Sequence, residues 1–84
     1  MSYFVYILEC SDETLYTGIT KDVQKRLDEH NNSHKGAKYT KTRRPVKLLY
    51  KESSADRSSA SKREYEIKKL TREKKLQLIG KTSL

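Results

Sequence analysis

Tyr3-Phe4-Val5-Tyr6-Ile7-Leu8-Glu9 and Thr14-Leu15-Tyr16-Thr17-Gly18-Ile19, parted by the turn-forming Ser11-Asp12-Glu13, decide the fold. Both runs are dense in β-branched and aromatic residues, which suit a pleated, half-buried surface. Two such runs joined by a polar turn cluster predict a β-hairpin. If Cys10 pairs with Thr14 across a three-residue turn, Tyr6 stands opposite Gly18 and Leu8 opposite Tyr16, and the even-numbered residues share one face. On that register Tyr6 and Tyr16 are diagonal neighbours roughly 7–8 Å apart, and Gly18 leaves room beside Tyr6 for another group to approach. A two-residue turn would break this parity.

Beyond the hairpin, Asp22 or Thr20 can cap a helix running to about His30, with Val23 and Leu27 four apart on one face, and Asn31-Asn32-Ser33 ends it. From His30 to Lys51 there is no acidic residue, while Lys35, Lys38, Lys41, Arg43, Arg44, Lys47 and Lys51 place seven positive charges in 22 positions. Residues 35–45 read as loop, because Gly36 and Pro45 interrupt them and no apolar period runs through. Val46 to Lys51 predicts a third strand. A helix from Ala55 or Ser58 to Leu70 follows, and Thr71 caps a last helix through Ile79 that stops at Gly80. The order is β-β-α-β-α-α, a small α/β domain of the α+β kind with a mainly antiparallel sheet and helices beside it.

Composition sets the outer bounds. The chain has 84 residues, 19 Lys+Arg against 11 Asp+Glu for a net charge of +8, and 33% hydrophobic residues. A chain of this length makes one domain, here expected over residues 1–84, and buries only about 60–65% of its unfolded surface. Low hydrophobicity with high charge is also the composition of disorder, but the apolar residues are grouped into strand-like and helical segments as a folded domain requires. No apolar run approaches the roughly 20 residues that cross a bilayer, so no membrane is expected. The first residues lack the basic and long apolar regions of a secretory signal, and the expected address is cytoplasmic. One cysteine, Cys10, cannot close a disulfide within the chain.

Polar residues in the apolar sector of a helix must be paired or functional. At about 100° per residue, Glu64 falls within or beside the inward arc set by Ala60, Ile67 and Leu70, and Glu66 falls outside it. On the earlier helix Arg26 and His30 share a face, one turn apart, beside Val23 and Leu27. Two phenols, a guanidinium, an imidazole and a carboxylate then come from three separate elements. That set suits phosphodiester hydrolysis: a carboxylate holds a divalent cation, a phenol or imidazole takes a proton from attacking water, and Arg stabilises phosphoryl oxygens. Singly, each has a plain reading as an amphipathic strand residue, a solvated helix residue or, for His30, a cation favoured by a helix C-terminus.

Jointly, Val5-Tyr6, Tyr16-Thr17-Gly18, Arg26, His30 and Glu64 resemble the GIY-YIG nuclease family over about residues 3–79, most closely its compact single-domain bacterial members. Gly36-Ala37-Lys38-Tyr39-Thr40 and Arg43-Arg44-Pro45-Val46 also recur in those members. The resemblance implies a three-stranded antiparallel sheet flanked by helices, and single-metal hydrolysis of nucleic-acid phosphodiesters with one Mg²⁺ or Mn²⁺. Carried across, Tyr6 and Tyr16 are active-site phenols, one of them the general base. Gly18 is the backbone-approach position, Arg26 stabilises phosphate, His30 assists proton transfer and Glu64 holds the metal. The chain departs from the family pattern where Phe4 replaces the first motif glycine, where Ile19 follows the second motif in place of Lys, and where no Asn follows Asn32 to match the downstream active-site Asn of several nucleases.

The basic stretch supplies a footprint for nucleic acid, with Lys38, Tyr39, Lys41, Arg43 and Arg44 as the expected backbone contacts. DNA is expected ahead of RNA, with a protein partner supplying target choice. The alternative is a nucleic-acid-binding module on the same fold that cleaves little or nothing.

Overall fold

The computed structural model describes residues 2–81, so Met1 and residues 82–84 of the expected domain lie outside the described residues. Strands β1 (Tyr3–Glu9), β2 (Leu15–Thr20) and β3 (Lys47–Ser54) form an antiparallel sheet in the order β2-β1-β3. The helices are α1 (Val23–Asn32), the single turn α2 (Lys38–Lys41), α3 (Arg57–Lys68) and α4 (Arg72–Lys81). The expected α+β order holds, with α2 added between α1 and β3.

Placement of β1 at the centre accounts for its unbroken apolar run, since a strand covered on both faces has no solvent side on which to alternate. Val5 and Ile7 join Tyr50, Ala60 and Ile67 in one core, with Leu15, Ile19, Leu78 and Ile79 packed against it. That face is covered by α3 and α4. Tyr6, Leu8, Cys10 and Val46 form a second core with Tyr16, Leu27 and Leu48, on the face covered by α1. The hairpin has the three-residue turn: Cys10 N–H donates to the Thr14 carbonyl at 2.9 Å and Glu13 takes the left-handed conformation at φ 68°. Tyr6 therefore pairs with Gly18 and Leu8 with Tyr16. On the other side of β1 the register shifts between Ile7 and Leu8, which pair with Tyr50 and Leu48. The extra residue, Leu49, is a bulge that puts Tyr50 in one core and Leu48 in the other.

Three sequence expectations change. β3 runs three residues past Lys51 because Glu52, Ser53 and Ser54 pair with Val5, Phe4 and Tyr3; pairing to the central strand sets its length, and an edge strand tolerates polar residues. The stretch 35–45 contains the helical turn α2, which tertiary contacts hold in the absence of an apolar period. α4 continues through Gly80 to Lys81, since a glycine in a helix costs only about 1 kcal/mol and does not end it. The caps expected at Asp22 and Thr71 form, Asp22 Oδ1 accepting from Lys25 N–H at 3.1 Å and Thr71 Oγ1 from Lys74 N–H at 3.2 Å, and α3 is capped by Asp56 Oδ1, which accepts from Ser59 N–H at 2.8 Å. Among the described residues no helix is long and apolar enough to cross a membrane.

Candidate active site

The site is organised around the Tyr6 phenol. Tyr6 leaves the middle of the central strand with only 2% of its surface exposed, and its ring lies across Gly18 of β2. A Cβ at Gly18 would sit 2.5 Å from Tyr6 Oη, 2.7 Å from its Cζ and 3.2 Å from the Tyr16 ring, so only glycine lets the phenol pass. Beyond Gly18 the phenol meets α1: Tyr6 Oη and His30 Nε2 are 2.8 Å apart. His30 is fully buried in the last turns of α1. Tyr16 lies against both, 6.4 Å from the Tyr6 ring centre and 5.2 Å, edge-on, from the imidazole.

Arg26 lies one helical turn before His30, and its positive charge acts on the Tyr6 phenol. Its guanidinium is held at 2.9 Å by Glu29 Oε1 and at 2.9 Å by the Lys35 carbonyl. Glu64 projects from α3, which packs on the opposite face of the sheet and against β2. Its side chain is 24% exposed, against 66% for Glu66, and pairs with Lys68 at 3.4 Å. This is the inward placement expected from the helical spacing. The Glu64 charge adds a small upward push to the Tyr6 phenol, less than that of burial or of Tyr16.

Electrostatics set the resting protonation. Burial, reinforced by Tyr16 and Glu64 and opposed by Arg26, pushes the Tyr6 phenol up to about 12. Burial and the Arg26 charge pull the His30 imidazolium down to about 4, against the opposing pull of Glu29. At neutral pH both groups are uncharged.

The remaining expected residues divide. Lys38 and Lys41 are exposed on α2. Tyr39 is 38% exposed; its ring stacks on Tyr16 with ring centres 6.0 Å apart, and the Arg43 guanidinium lies 3.9 Å from its ring centre. Arg43 is tied back to Asp12 of the hairpin turn at 3.0 Å. Arg44 turns inward: its Nε donates to the His30 carbonyl at 2.6 Å, and its terminal nitrogen donates to the carbonyls of Glu29 and Ser33. It thus adds donors to carbonyls at the end of α1 and just beyond it, two of which also accept backbone N–H groups. Asn31 makes a matched pair with Val46, donating to its carbonyl at 2.9 Å and accepting its N–H at 2.7 Å. Gly36 lets the loop lie on α1, since a Cβ there would meet the Glu29 carbonyl oxygen at 2.7 Å.

Sequence reasoning missed Thr40. It is fully buried, and its Oγ1 lies 2.9 Å from His30 Nδ1. A threonine ten residues from its partner, inside a basic stretch with no apolar period, carries no signal that marks it.

The donor set suits a weakly held hard cation. Among the described residues no three His, Cys, Asp or Glu side chains gather as a metal cage. Mg²⁺ prefers oxygen, keeps several waters and is commonly held by one or two carboxylates together with substrate phosphates. The half-buried Glu64 carboxylate supplies one oxygen donor of that kind.

Residues 2–77 match the family model described as the GIY-YIG catalytic domain. The chain is 60% identical over 78 residues to the UPF0213 protein SAV0488 of Staphylococcus aureus, covering 93% of this chain and 94% of that protein. It is 56% identical over 78 residues to the UPF0213 protein DP2720 of Desulfotalea psychrophila, covering 93% and 71%. Among solved structures it resembles the solution NMR structure of the UPF0213 protein BH0048 of Bacillus halodurans, with TM-score 0.61 and 46% identity over 95% of this chain and 84% of that one. It also resembles that of EF2693 of E. faecalis, with TM-score 0.67 and 43% identity over 96% and 85%. With its family match spanning nearly the whole chain and relatives this near, the chain belongs to the GIY-YIG nuclease family, among its small members.

Proposed function

We propose that this chain is a divalent-metal-dependent endonuclease that hydrolyses phosphodiester bonds in DNA or structured nucleic acid. The observation that carries the reading is the buried phenol–imidazole contact of Tyr6 and His30 at 2.8 Å, with the Arg26 charge acting on both groups. Glu64 would hold one Mg²⁺ or Mn²⁺, which when bound neutralises charge developing on the phosphoryl group. Arg26 is preset by Glu29 and the Lys35 carbonyl to receive phosphoryl oxygens. As water attacks phosphorus, its proton passes to Tyr6 Oη while the phenolic proton passes to His30 Nε2, so Tyr6 stays neutral throughout. The P–O bond to the leaving nucleotide then breaks, its electron pair stays on the leaving oxygen, which takes a proton from solvent water, and His30 Nε2 returns its proton to solvent. Burial keeps the proton on the Tyr6 phenol and the His30 imidazole neutral in the resting site, so full transfer from Tyr6 to His30 runs uphill there. The proton therefore moves only as negative charge builds on the phosphoryl group.

Lys38, Lys41, Arg43 and Tyr39 would meet the nucleic-acid backbone, with Arg44 supporting them from beneath through α1. DNA stands ahead of RNA, target choice comes from a protein partner, and the reaction belongs in the cytoplasm. The second reading, a binding module that cleaves little, is favoured by the Lys68 ammonium on Glu64 and by the lack of any Asn after Asn32. Cleavage of labelled single-stranded, duplex and branched DNA and RNA, with Mg²⁺, Mn²⁺ or chelator, tests both. Metal-dependent products are expected. A salt-sensitive mobility shift that persists in chelator, without products, supports the binding module instead.

A further inference from the structure

We propose that Thr40 is a positioning residue of this site: its hydroxyl donates to the Ala37 carbonyl, accepts the Nδ1 proton of His30, and so leaves Nε2 bare toward the Tyr6 phenol. Tyr6 is buried, with 2% of its surface exposed, so water does not serve its hydroxyl. The phenolic proton then needs an acceptor, and among the described residues the partner at Tyr6 Oη that can accept is His30 Nε2, at 2.8 Å. An Nε2 that accepts leaves the neutral ring's proton on Nδ1. Thr40 Oγ1 lies 2.9 Å from Nδ1 and 2.9 Å from the Ala37 carbonyl oxygen, so it accepts from the first and donates to the second. The reverse arrangement would have the Ala37 N–H donate to Nδ1, but that separation is 3.4 Å, long for an N–H donor. It would also have Nε2 donate to the phenol oxygen and leave the phenol proton without a partner among the described residues, a costly state for a buried group. Both Thr40 and His30 are fully buried, which removes water as a substitute for either bond. Ala37 and Thr40 belong to the turn of α2 and His30 to α1, so the hydroxyl couples that turn to the proton-handling pair.

The inference rests on the reading of Tyr6 and His30 as that pair, and its test separates the two. Long-range ¹H–¹⁵N NMR of the imidazoles reports the tautomer directly, with His34→Gln used to assign the two histidines. The expected wild-type His30 is the Nδ1–H tautomer, kept in Thr40→Ser and lost or mixed in Thr40→Val. With cleavage as the second readout, Thr40→Val should lower kcat about 10- to 100-fold with KM nearly unchanged, and Thr40→Ser should restore most of it. An Nδ1–H tautomer with no cleavage in any form sinks the nuclease reading and leaves the positioning role standing. An Nε2–H tautomer in the wild type overturns the inference, as does a folded Thr40→Val variant with unchanged tautomer and unchanged kcat. Should Thr40→Val not fold, the wild-type and Thr40→Ser tautomers decide it alone.

Discussion

Gly18→Ala should damage this protein more than an edge-strand glycine substitution ordinarily does, through one identifiable contact. The new Cβ would lie 2.5 Å from Tyr6 Oη and 2.7 Å from Cζ, well inside van der Waals separation. The phenol cannot swing aside at little cost, because the ring is 2% exposed, bonded to His30 and flanked by the Tyr16 ring. Overpacking costs about 1–3 kcal/mol, and loss of the buried phenol–imidazole bond adds about 1–3 kcal/mol. The lower unfolded-state entropy of Ala offsets about 0.4–1 kcal/mol. The net expectation is a loss of about 2–4 kcal/mol, seen as a fall of about 10–25 °C in Tm for a domain of this size. Urea titrations of wild type, Gly18→Ala, Tyr6→Leu and the double variant isolate the contact. In the Tyr6→Leu background the second substitution should be near neutral, giving a coupling of at least about 1.5 kcal/mol. Equal costs for Gly18→Ala in both backgrounds would refute the claim that the phenol requires the glycine.

Stability should also depend on pH through His30. Its pKa is held at about 4 against 6.5 unfolded, so the unfolded chain binds the extra proton between those values. The contribution is full above pH 6.5 and is lost as pH falls toward 4, amounting to about 3 kcal/mol; urea midpoints of wild type should fall more steeply over that window than those of His30→Gln, and parallel curves would contradict it. Arg44→Ala removes the guanidinium from the carbonyls of Glu29, His30 and Ser33, of which Glu29 and Ser33 keep backbone donors, and should cost about 1–3 kcal/mol, whereas a loss within about 0.5 kcal/mol would mean that solvent replaces the guanidinium freely. Lys38→Ala with Lys41→Ala should leave Tm unchanged and lower the slope of log K against log salt for DNA binding by about 2; an unchanged slope would remove both lysines from the interface.

The legible parts of the fold were local. The run from Tyr3 to Leu8 is apolar on both faces because its strand is central, and Ser11-Asp12-Glu13 sets a turn whose length fixes which residues oppose Gly18. The caps at Asp22 and Thr71 each bond a backbone N–H three residues on, a relation carried entirely by adjacent sequence. The rest depends on distant partners. β3 reaches Ser54 because β1 offers it partners, which the polar Glu52-Ser53-Ser54 does not advertise. α2 exists because Ala37 and Thr40 close on the His30 ring. Arg44 and Asn31 look like solvated residues in the chain, and they prove to hydrogen-bond backbone groups 11 to 15 residues away. Tyr6, Tyr16, Gly18, Arg26 and His30 gather as the spacing implied, because Gly18, the hairpin register and one face of α1 are short-range facts. The state of Tyr39 was not legible, since its two ring contacts, Tyr16 and Arg43, come from opposite directions along the chain.

The central claim is that a carboxylate on α3 and a phenol on β1 serve one hydrolytic site. The most direct measurement compares cleavage of labelled DNA by wild type, Glu64→Gln and Tyr6→Phe in Mg²⁺ and in chelator, with the Tm of each protein recorded alongside. Glu64 makes only a half-exposed ion pair with Lys68, so Glu64→Gln should change stability by less than about 1 kcal/mol. The account predicts metal-dependent products from wild type, and a loss of at least about 100-fold in each folded variant. Products formed at the wild-type rate by Glu64→Gln, or by wild type in chelator, would contradict it.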